Sequence, residues 1–367
     1  MPFLSLSLVN FRNLSNESID LSSNEIFFCG ENGQGKSNLL EALYYSSYAS
    51  SFRTHNESEL IKNGENAFNI RSIFREENGI THSTSMTVER KEKLTKKIEK
   101  DGKYIKDRKE LINTMPCVLY SHDDMDFITG EPERRRFFID QSLSMYDVLY
   151  IDLIRKYKRI LKNRNICLKE GKYELLETYN YQLAMTGIEI QDKRKKAIFK
   201  FNQIFGKIFE EITGIDGVSI KYSPSWHNEE NLPNIDFIIN YIKSKFEAEK
   251  IMQTTMTGPH RDRINFVRNG EDFVSKASTG QRRLLALILR SAQAIYYNQI
   301  SGRKPVLLMD DVLLELDPDK RQMLTEKLPP YEQLFCTFLP GEPYKRYINS
   351  STKVYKIVKG KWSIVDE

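Results

Sequence analysis

Long apolar runs and clustered metal ligands are missing from this 367-residue sequence. No apolar segment approaches the roughly 18–20 residues that a membrane-spanning helix needs, so we expect no membrane partner. The five histidines are scattered, which argues against a zinc site. The cysteines have no CxxC or other metal spacing, and we predict reduced thiols in a cytoplasmic protein. They are Cys29, Cys117, Cys167 and Cys336.

Internal repeats, long heptad patterns and a signal peptide are missing as well. The N-terminal stretch MPFLSLSL alternates like a strand and lacks the basic flank and long apolar core of a secretory signal. Without sustained heptads we predict no long coiled coil. The composition that remains, 40% hydrophobic and 29% charged, is enough for one large domain or two smaller ones with real cores.

The net charge of +5 is small, but some of the basic residues cluster in three segments. These segments occupy residues 91–109, 155–164 and 193–196. Clusters of this kind are typical of surfaces that bind polyanions. A solvated face of a hairpin or helix explains each cluster equally well, so both interpretations stay open at this point.

Hydrophobic periodicity divides the chain into an α/β part and a mainly helical part. Short apolar runs predict strands in the N-terminal third, and the turn dipeptide at 101–102 (Asp-Gly) predicts a hairpin. Between about residues 133 and 211, glycine and proline are sparse and apolar residues recur at helical spacing. We therefore predict an α/β fold in which residues 1–122 and 300–367 form one lobe. Residues 123–299 form an inserted, mainly helical second lobe.

A phosphate-binding loop follows the apolar run 26–29 and precedes a predicted helix over residues 37–50. The glycines let the backbone curl so that its N–H groups and the helix N-terminus face phosphates. We predict that Lys36 neutralises the β- and γ-phosphates of a nucleoside triphosphate and that the Ser37 hydroxyl ligates Mg²⁺. The loop fits GxxxxGK[ST] in full, with the nucleotide-binding residues Gly30, Glu31, Asn32, Gly33, Gln34, Gly35, Lys36 and Ser37.

A second apolar strand, predicted over residues 305–309, ends on the two carboxylates Asp310 and Asp311. A buried strand of this type places Asp310 beside the magnesium ion and Asp311 where it can polarise an attacking water. An acidic pair that only caps the strand is the alternative, but the phosphate loop favours the metal interpretation. Lys36, Asp310 and Asp311 are therefore the predicted catalytic residues, and Ser37 and Asp310 are the predicted metal ligands.

The segment 278–281 reads Ser-Thr-Gly-Gln and opens an apolar helix before the acidic strand. The order of phosphate loop, this helix start, acidic strand and residues 314–317 (Leu-Glu-Leu-Asp) is the pattern of ABC-type ATPases. In that group the helix start caps the γ-phosphate bound by a second subunit instead of its own. Ser278, Gly280 and Gln281 are therefore predicted to contact ATP across a dimer. An ordinary N-cap is the alternative interpretation of Ser278.

Five segments extend the resemblance over nearly the whole chain. They are VNFRNL at 9–14, SFRT at 51–54, GEPERRRFFID at 130–140, TGPHRD at 257–262 and DDVLLELD at 310–317. With them the chain resembles the RecF family of bacterial recombination-repair ATPases, which are related to SMC heads. Two departures stand out: SHDD at 121–124 replaces the usual Ser-Pro-Glu-Asp-like run, and Thr279 replaces the usual glutamine.

The resemblance implies an ABC/SMC-head-like P-loop fold, a homodimer that closes on ATP, and nucleotide contacts from Arg12 and Asn13. It places Arg53 near phosphate or the dimer seam. It also implies a protein of recombinational repair and replication that binds duplex or gapped DNA without sequence preference. Such a protein hydrolyses ATP slowly under DNA stimulation and helps RecO and RecR to load RecA. The predicted DNA contacts are Lys96, Lys97, Lys103, Arg155, Lys158 and Arg159.

Alternative functions from two other classes stay open. A transport or motor ATPase shares the nucleotide motifs, although Thr337 stands where transporters carry a histidine. A DNA-binding scaffold with negligible turnover is the second alternative, because Asp311 is shorter than the glutamate common at this position in ABC proteins. The arginine run 134–136 either contacts DNA or pairs with nearby carboxylates at a helix start.

Overall fold

The structure is a computed structural model that describes residues 2–76, 78–112, 114–227, 234–313 and 316–365. The chain divides into two compact units, and one division falls inside a long helix. Unit 1 comprises Met1–Asp124 and Gln293–Glu367, and unit 2 comprises Met125–Ala292. None of the described helices is long and apolar enough to cross a membrane.

Strands and α-helices of the described residues are numbered in chain order. The strands are β1 Phe3–Val9, β2 Ser18–Asp20, β3 Glu25–Cys29, β4 Ala67–Arg75, β5 Thr81–Arg90, β6 Leu94–Lys100, β7 Lys103–Tyr104, β8 Cys117–Tyr120, β9 Val218–Ser223, β10 Arg263–Arg268, β11 Glu271–Asp272, β12 Val306–Met309, β13 Gln333–Phe338, β14 Thr352–Val358 and β15 Lys361–Ile364. The helices are α1 Lys36–Tyr48, α2 Asp126–Thr129, α3 Pro132–Ser144, α4 Val148–Glu170, α5 Leu176–Thr213, α6 Ile235–Ser244, α7 Phe246–Met252, α8 Thr279–Ser301 and α9 Pro318–Glu326.

A six-stranded sheet in unit 1 has the order β15-β14-β3-β13-β12-β8. All its neighbours pair in parallel except β15, which is antiparallel to β14 at the edge. Strands β8 and β12 are buried along their whole length, as expected for parallel strands covered on both faces. Because the carboxyl ends of parallel strands meet at one edge, the segments that follow β3, β12 and β13 lie together there.

The second sheet of unit 1 is antiparallel and has the order β2-β1-β4-β5-β6-β7. Helix α1 contacts strands of both sheets, and its Leu39, Leu40 and Leu43 are buried in the shared core. The predicted hairpin is confirmed, since β6 pairs with β7 across Asp101 and Gly102. Both turn residues have positive φ (50° and 73°), the conformation of a type I′ turn.

Unit 2 combines the helices α2 to α7 and the first part of α8 with a three-stranded antiparallel sheet, β11-β10-β9. Helices α4 and α5 pack against each other as a helical hairpin. Helix α4 is capped at its start by Asp147, whose side chain accepts a hydrogen bond from the Tyr150 N–H, and is followed by Gly171 in the left-handed conformation. Helix α4 has 23 residues, which limits the length over which the 38-residue α5 can pair with it, and within the described chain no long coiled coil is present.

Candidate nucleotide-binding site

The loop of residues 30–37 joins the end of β3 to the start of α1 at the carboxyl edge of the parallel sheet. Gly33 and Gly35 have φ of 76° and 115°, a region that glycine adopts without steric cost. A Cβ atom on Gly35 would also lie 2.9 Å from Cδ2 of Leu14. These glycines give the loop its curl, and its N–H groups gather beside the N-terminus of α1.

The ammonium of Lys36 lies over its own loop. The side chain is buried, and Nζ donates to the carbonyl of Gly30 at 2.7 Å and to that of Glu31 at 3.5 Å. The positive charge therefore stands where the loop N–H groups and the helix N-terminus already favour an anion. A phosphate held by the loop would meet this ammonium and form an ion pair with it in place of the carbonyl contacts.

Ser37 and Asp310 are in contact although 273 positions separate them in the chain. The Ser37 hydroxyl donates to Oδ1 of Asp310 at 2.7 Å. Burial raises the pKa of the Asp310 carboxyl, an effect that the Ser37 hydrogen bond opposes and the neighbouring Asp311 charge reinforces. The two predicted metal ligands thus form one pair of oxygens at the edge of the sheet.

Thr337 on β13 holds Asp311 in place. Its hydroxyl donates to Oδ1 of Asp311 at 2.7 Å, and the Asp311 N–H donates back to Thr337 Oγ1 at 2.8 Å. Asp311 has φ of 52°, which is uncommon for a residue with a side chain and depends on such support. Thr337 Oγ1 also lies 3.3 Å from Oδ1 of Asp310, so one hydroxyl contacts both aspartates.

The Ser37 hydroxyl and the Asp310 carboxylate fit Mg²⁺. This ion takes one or two protein oxygens and completes its octahedron with waters and substrate phosphates. Within the described residues, no group of three or more His, Cys, Asp or Glu side chains is arranged to hold a metal alone. An ion at Ser37 and Asp310 would therefore depend on the phosphate oxygens for much of its coordination.

Glu41 is a fully buried carboxylate on α1 that no sequence motif marks. Arg12 donates to both of its oxygens at 2.9 Å, and the Ser51 hydroxyl donates to Oε1 at 2.5 Å. Arg53 NH1 lies 3.7 Å from Oε2. The resemblance implies a nucleotide contact for Arg12. In this structure its guanidinium forms a salt bridge with Glu41. An acidic residue inside the apolar run 39–43 is the one sequence signal that points to this cluster.

Asn13 connects the Glu41 cluster to the phosphate loop. Its Nδ2 donates to the carbonyl of Gly33 at 3.2 Å, and Asn38 donates to Asn13 Oδ1 at 2.8 Å. Arg53 donates in turn to Asn38 Oδ1 at 2.7 Å. Asn13 and Arg53, both singled out by the resemblance, therefore support the loop through a continuous hydrogen-bonded chain.

The turn between β14 and β15 also holds the phosphate loop. The N–H groups of Lys359 and Gly360 donate to the side-chain and main-chain oxygens of Gln34, at 2.7 and 2.9 Å. Gly360 has φ of 76°, and a Cβ atom there would lie 2.0 Å from the carbonyl oxygen of Asn13. Gln34 is thus engaged by a segment that lies far from it in sequence.

The segment 278–281 forms a capping box at the start of α8. Ser278 Oγ accepts from the Gln281 N–H at 3.2 Å, and Gln281 Oε1 accepts from the Ser278 N–H at 2.8 Å. Ser278 and Gly280 are exposed, and a Cβ atom on Gly280 would meet nothing within 4 Å. The N-cap interpretation is therefore correct for the chain by itself. In this capping box the hydroxyl hydrogen of Ser278 has no acceptor in the described part of the chain.

Two other motif segments are only partly informative. Leu314 and Glu315 lie outside the described residues. Asp317 caps α9, where its side chain accepts from the Lys320 N–H at 3.0 Å. After β8, the Ser121 N–H donates to Oδ2 of Asp124 at 2.9 Å. The segment 121–124, which differs from the usual family run, therefore forms a closed turn.

The GEPERRRFFID and TGPHRD segments meet in unit 2 around Arg194 of α5. Arg194 donates to both oxygens of Asp140 and to Oδ2 of Asp262, each at 2.9 Å. Asp262 is fully buried and also accepts from Gln191 at 2.8 Å and from the Tyr222 hydroxyl at 2.6 Å. Asp140 is therefore an ion-pair residue, but its partner is Arg194 and not the arginine run beside it.

The arginine run 134–136 has its own partners. Arg136 donates to the carbonyl of Asp262 at 2.9 Å, and Arg134 lies 3.7 Å from Asp126. Arg135 donates to carbonyl oxygens, those of Ile128, Gly130 and Ile264. Arg135 and Arg136 thus connect backbone segments of unit 2.

The three predicted DNA contacts in segment 91–109 differ in how far neighbouring groups neutralise their positive charges. Lys96 is 24% exposed, donates to Glu57 and to a backbone carbonyl, and lies over the Tyr45 ring. Burial lowers its pKa. Lys97 pairs with Glu99 at 2.7 Å but is 59% exposed, and Lys103 is exposed on β7. Lys96 is therefore the least available of the three.

The predicted DNA contacts on α4 lie on one exposed face. Arg155, Lys158 and Arg159 are separated by three and four residues, which places them together on the helix surface. All three are exposed, and Arg155 lies 3.8 Å from Asp152. This face presents three cations to solvent within two helical turns.

Comparisons with known proteins agree with these features. The family model described as RecF/RecN/SMC N terminal domain matches residues 3–362. The DNA replication and repair protein RecF of Treponema pallidum (strain Nichols) is 44% identical over 357 residues, which cover 97% of this chain and 99% of that protein. The protein of the same name from Clostridium perfringens (strain SM101 / Type A) is 33% identical over 369 residues, covering 98% and 99%.

Solved structures extend the comparison to the fold. A structure of the recombination mediator protein RecF-ATP in the RecFOR pathway matches with a TM-score of 0.87 at 28% identity, covering 100% of this chain and 98% of that one. An Smc head bound to the C-winged helix domain of ScpA matches with a TM-score of 0.58 at 14% identity, covering 99% and 96%. The second likeness concerns the fold alone. The predicted ABC/SMC-head-like P-loop architecture is confirmed.

Proposed function

The chain belongs to the RecF family, and on this premise we propose that it is an ATP-dependent DNA-binding protein of recombinational repair and replication. Each copy binds Mg-ATP, and two copies close face to face with both nucleotides in the seam. The closed dimer binds duplex or gapped DNA and helps RecO and RecR to load RecA. The observation that carries the proposal is the contact of Ser37 with Asp310 beside the phosphate loop.

The nucleotide is held by residues with separate roles. The loop N–H groups and Lys36 neutralise the phosphates, and Ser37 and Asp310 are the protein ligands of the metal. A bound Mg²⁺ supplies charge neutralisation at the β- and γ-phosphates during hydrolysis. Asp311, positioned by Thr337, orients the attacking water. In this proposal Arg12 and Asn13 contact the nucleotide when ATP binds, from their present positions on Glu41 and on the Gly33 carbonyl.

The dimer seam is the second half of the site. In this proposal residues 1–122 and 300–367 bind ATP, and residues 123–299 present Ser278, Gly280 and Gln281 to the γ-phosphate of the partner copy. The exposed start of α8 supports this role, because its N–H groups and the Ser278 hydroxyl are accessible to an anion. ATP then joins the two copies, and hydrolysis removes the bridging group.

Lys36→Ala should weaken ATP binding at least about thirtyfold, because truncating one partner of a buried charge pair costs about 2 kcal/mol or more. Calorimetric titration with Mg-ATP measures the change. The matched control is Lys62→Ala, a lysine of unit 1 whose ammonium also donates to a carbonyl, that of Leu14 at 3.0 Å. Equal ATP affinity of the Lys36 and Lys62 variants would contradict the assignment of the loop.

Replacing Arg155, Lys158 and Arg159 together with alanine should weaken duplex binding and reduce its salt dependence. Each lost phosphate contact lowers the slope of log K against log salt by about 0.9. Fluorescence anisotropy with a duplex, at two or more salt concentrations and with ATP present, measures both quantities. Lys96→Ala should have a much smaller effect, because Glu57 already neutralises that ammonium.

A matched triple variant separates a local contact from a net-charge effect. Lys243, Arg268 and Lys276 are exposed cations of unit 2 that each pair with a carboxylate. Their replacement with alanine removes the same formal charge and should leave the salt slope unchanged. If both triple variants lose the same affinity and slope, α4 is not a specific DNA surface.

Hydrolysis itself distinguishes the proposed ATPase from the alternatives. Single-turnover ATP cleavage should be slow and should accelerate with duplex DNA, without strand separation. A non-hydrolysing scaffold would bind DNA and ATP with no cleavage. A transport or motor ATPase would show no dimerisation stimulated by duplex DNA.

A further inference from the structure

The turn between β14 and β15, formed by Lys359 and Gly360, lies against the phosphate loop. Strand β14 pairs in parallel with β3, and its Lys356 is the register partner of Cys29, the last residue before the loop. Because parallel strands end at the same edge of the sheet, β14 runs beside the chain that enters the loop. The β14–β15 turn therefore leaves the sheet where the nucleotide site is built.

Main-chain groups of the β14–β15 turn bind a central residue of the phosphate loop. The Lys359 N–H donates to Oε1 of Gln34 at 2.7 Å, and the Gly360 N–H donates to the Gln34 carbonyl at 2.9 Å. The Gly360 carbonyl accepts in turn from the Ser15 N–H at 2.9 Å. The turn is therefore hydrogen-bonded to the loop on one side and to the segment that follows β1 on the other.

Glycines permit this close approach of backbone segments. A Cβ atom on Gly360 would collide with the carbonyl oxygen of Asn13, and one on Gly30 would lie 2.5 Å from the Ile357 carbonyl oxygen. A Cβ atom on Gly35 would lie 3.6 Å from Cα of Gly360. Gly30 and Gly360 therefore stand where neighbouring backbones leave no space for a side chain.

The β14–β15 turn has the same backbone conformation as the turn of a second hairpin in unit 1. Lys359 and Gly360 have φ of 49° and 76°, and Asp101 and Gly102, between β6 and β7, have φ of 50° and 73°. Each pair is a two-residue connection between antiparallel strands, as in a type I′ turn. A Cβ atom on Gly102, however, would meet nothing within 4 Å. The two hairpins therefore share their turn geometry and differ in what the turn contacts.

We propose that the β14–β15 turn positions the phosphate loop for ATP, an inference that rests on the ATP-binding part of the proposed function. A site built from main-chain N–H groups binds an anion tightly when its backbone already has the required curl. The glycines of the loop permit many other conformations, and the two hydrogen bonds to Gln34 exclude those in which this residue leaves the turn. Lys359 and Gly360 are thus positioning residues, whose main-chain groups act on the nucleotide through Gln34.

Gly360→Ala should weaken Mg-ATP binding by about tenfold, the effect of losing the two hydrogen bonds to Gln34 when the added methyl group displaces the turn. The matched control is Gly102→Ala, which imposes the same unfavourable φ at the same turn position but meets no neighbouring atom. The control should bind Mg-ATP within about twofold of the wild type. Calorimetric titration measures both affinities, and urea-induced unfolding without nucleotide shows whether each variant is folded during the titration.

Two further variants distinguish positioning of the loop from a general loss of stability. Lys359→Asn keeps the N–H group, and asparagine tolerates the positive φ, so ATP affinity should stay within about twofold of the wild type. A loss equal to that of Gly360→Ala would assign the effect to the ammonium and overturn main-chain positioning. If the turn acts through Gln34, the combined loss in Gly360→Ala with Gln34→Ala should be smaller than the product of the two single losses.

Hydrogen exchange tests the same coupling in the wild-type chain. Because coupling between two sites is reciprocal, Mg-ATP should slow amide exchange in residues 354–364 and leave residues 94–104, around the control turn, unchanged. Equal exchange at 354–364 with and without Mg-ATP would overturn the proposal even if Gly360→Ala does not fold.

Failure of this inference and failure of the proposed function give different results. If the wild type does not bind Mg-ATP, or if Lys36→Ala binds it as the wild type does, the ATP-binding part of the proposed function is wrong. If the wild type binds Mg-ATP and Gly360→Ala binds it as Gly102→Ala does, only the role of the β14–β15 turn is wrong. Independent, multiplying losses in Gly360→Ala and Gln34→Ala would likewise contradict only that role.

Discussion

Ser278→Arg is expected to eliminate ATP-induced dimers while ATP binding by the single chain persists. Under the proposed closure Ser278 faces the nucleotide of the other copy, so a long side chain there obstructs the seam and removes the hydroxyl donor. Overpacking a closed contact costs about 1–3 kcal/mol, and a two-fold symmetric dimer contains the contact twice. Dimer association should therefore weaken by about 2–6 kcal/mol, roughly thirtyfold or more.

Size-exclusion chromatography with light scattering, with and without Mg-ATP, measures the dimer. The variant also loses the N-cap of α8, which costs about 1 kcal/mol of stability. Asn234→Arg controls for that loss, because Asn234 caps α6 of the same unit by accepting from the Phe237 N–H at 2.8 Å. The Asn234 variant should dimerise normally. A normal dimer for Ser278→Arg would remove the support for a signature contact in trans.

Arg194→Leu is expected to destabilise unit 2 by about 3–5 kcal/mol. The substitution leaves Asp140 and the fully buried Asp262 without their shared cation, and an uncompensated buried charge is far more costly than a missing surface pair. Gln191 and Tyr222 still donate to Asp262 but do not replace the lost positive charge. Urea-induced unfolding, followed by circular dichroism, measures the free energy of unfolding.

An exposed arginine gives the matched comparison. Arg268 pairs with Asp216 at 2.7 Å, with side chains 46% and 70% exposed, and pairs of this kind contribute at most about 1 kcal/mol. Arg268→Leu should therefore shift the unfolding free energy only slightly. If the Arg194 and Arg268 variants unfold alike, the buried cluster is not what holds the two family-specific segments together. In the double variant with Asp262→Asn, part of the Arg194 penalty should disappear, because one unpaired charge is gone.

Local patterns were sufficient for much of the nucleotide site. The GxxxxGK[ST] loop lies between a strand and a helix, as predicted, and the helix predicted over 37–50 is observed as Lys36–Tyr48. The apolar run before Asp310 is the parallel strand β12. The Asp-Gly hairpin is also confirmed. These features depend on turn chemistry and periodicity, which act over a few residues.

Partner choice was not predictable in the same way. The pair formed by Arg12 and the buried Glu41, which lies 29 positions away, was not predicted from the sequence. Asp140 is one of the carboxylates near the arginine run 134–136, but its partner is Arg194, which lies 54 positions away. Charges of either sign are abundant in this chain, so sequence spacing does not select one partner from the many candidates.

By itself, the sequence determined the family, the phosphate loop, the acidic strand and the capped start of α8, because each needs only adjacent residues in a local conformation. Only the tertiary structure decided which oxygens and cations meet: Ser37 with Asp310, Thr337 with Asp311, and Arg12 with Glu41. The physical reason is the parallel sheet. It brings the ends of β3, β12 and β13 together from distant parts of the chain, and hydrogen-bond geometry then selects the contacts.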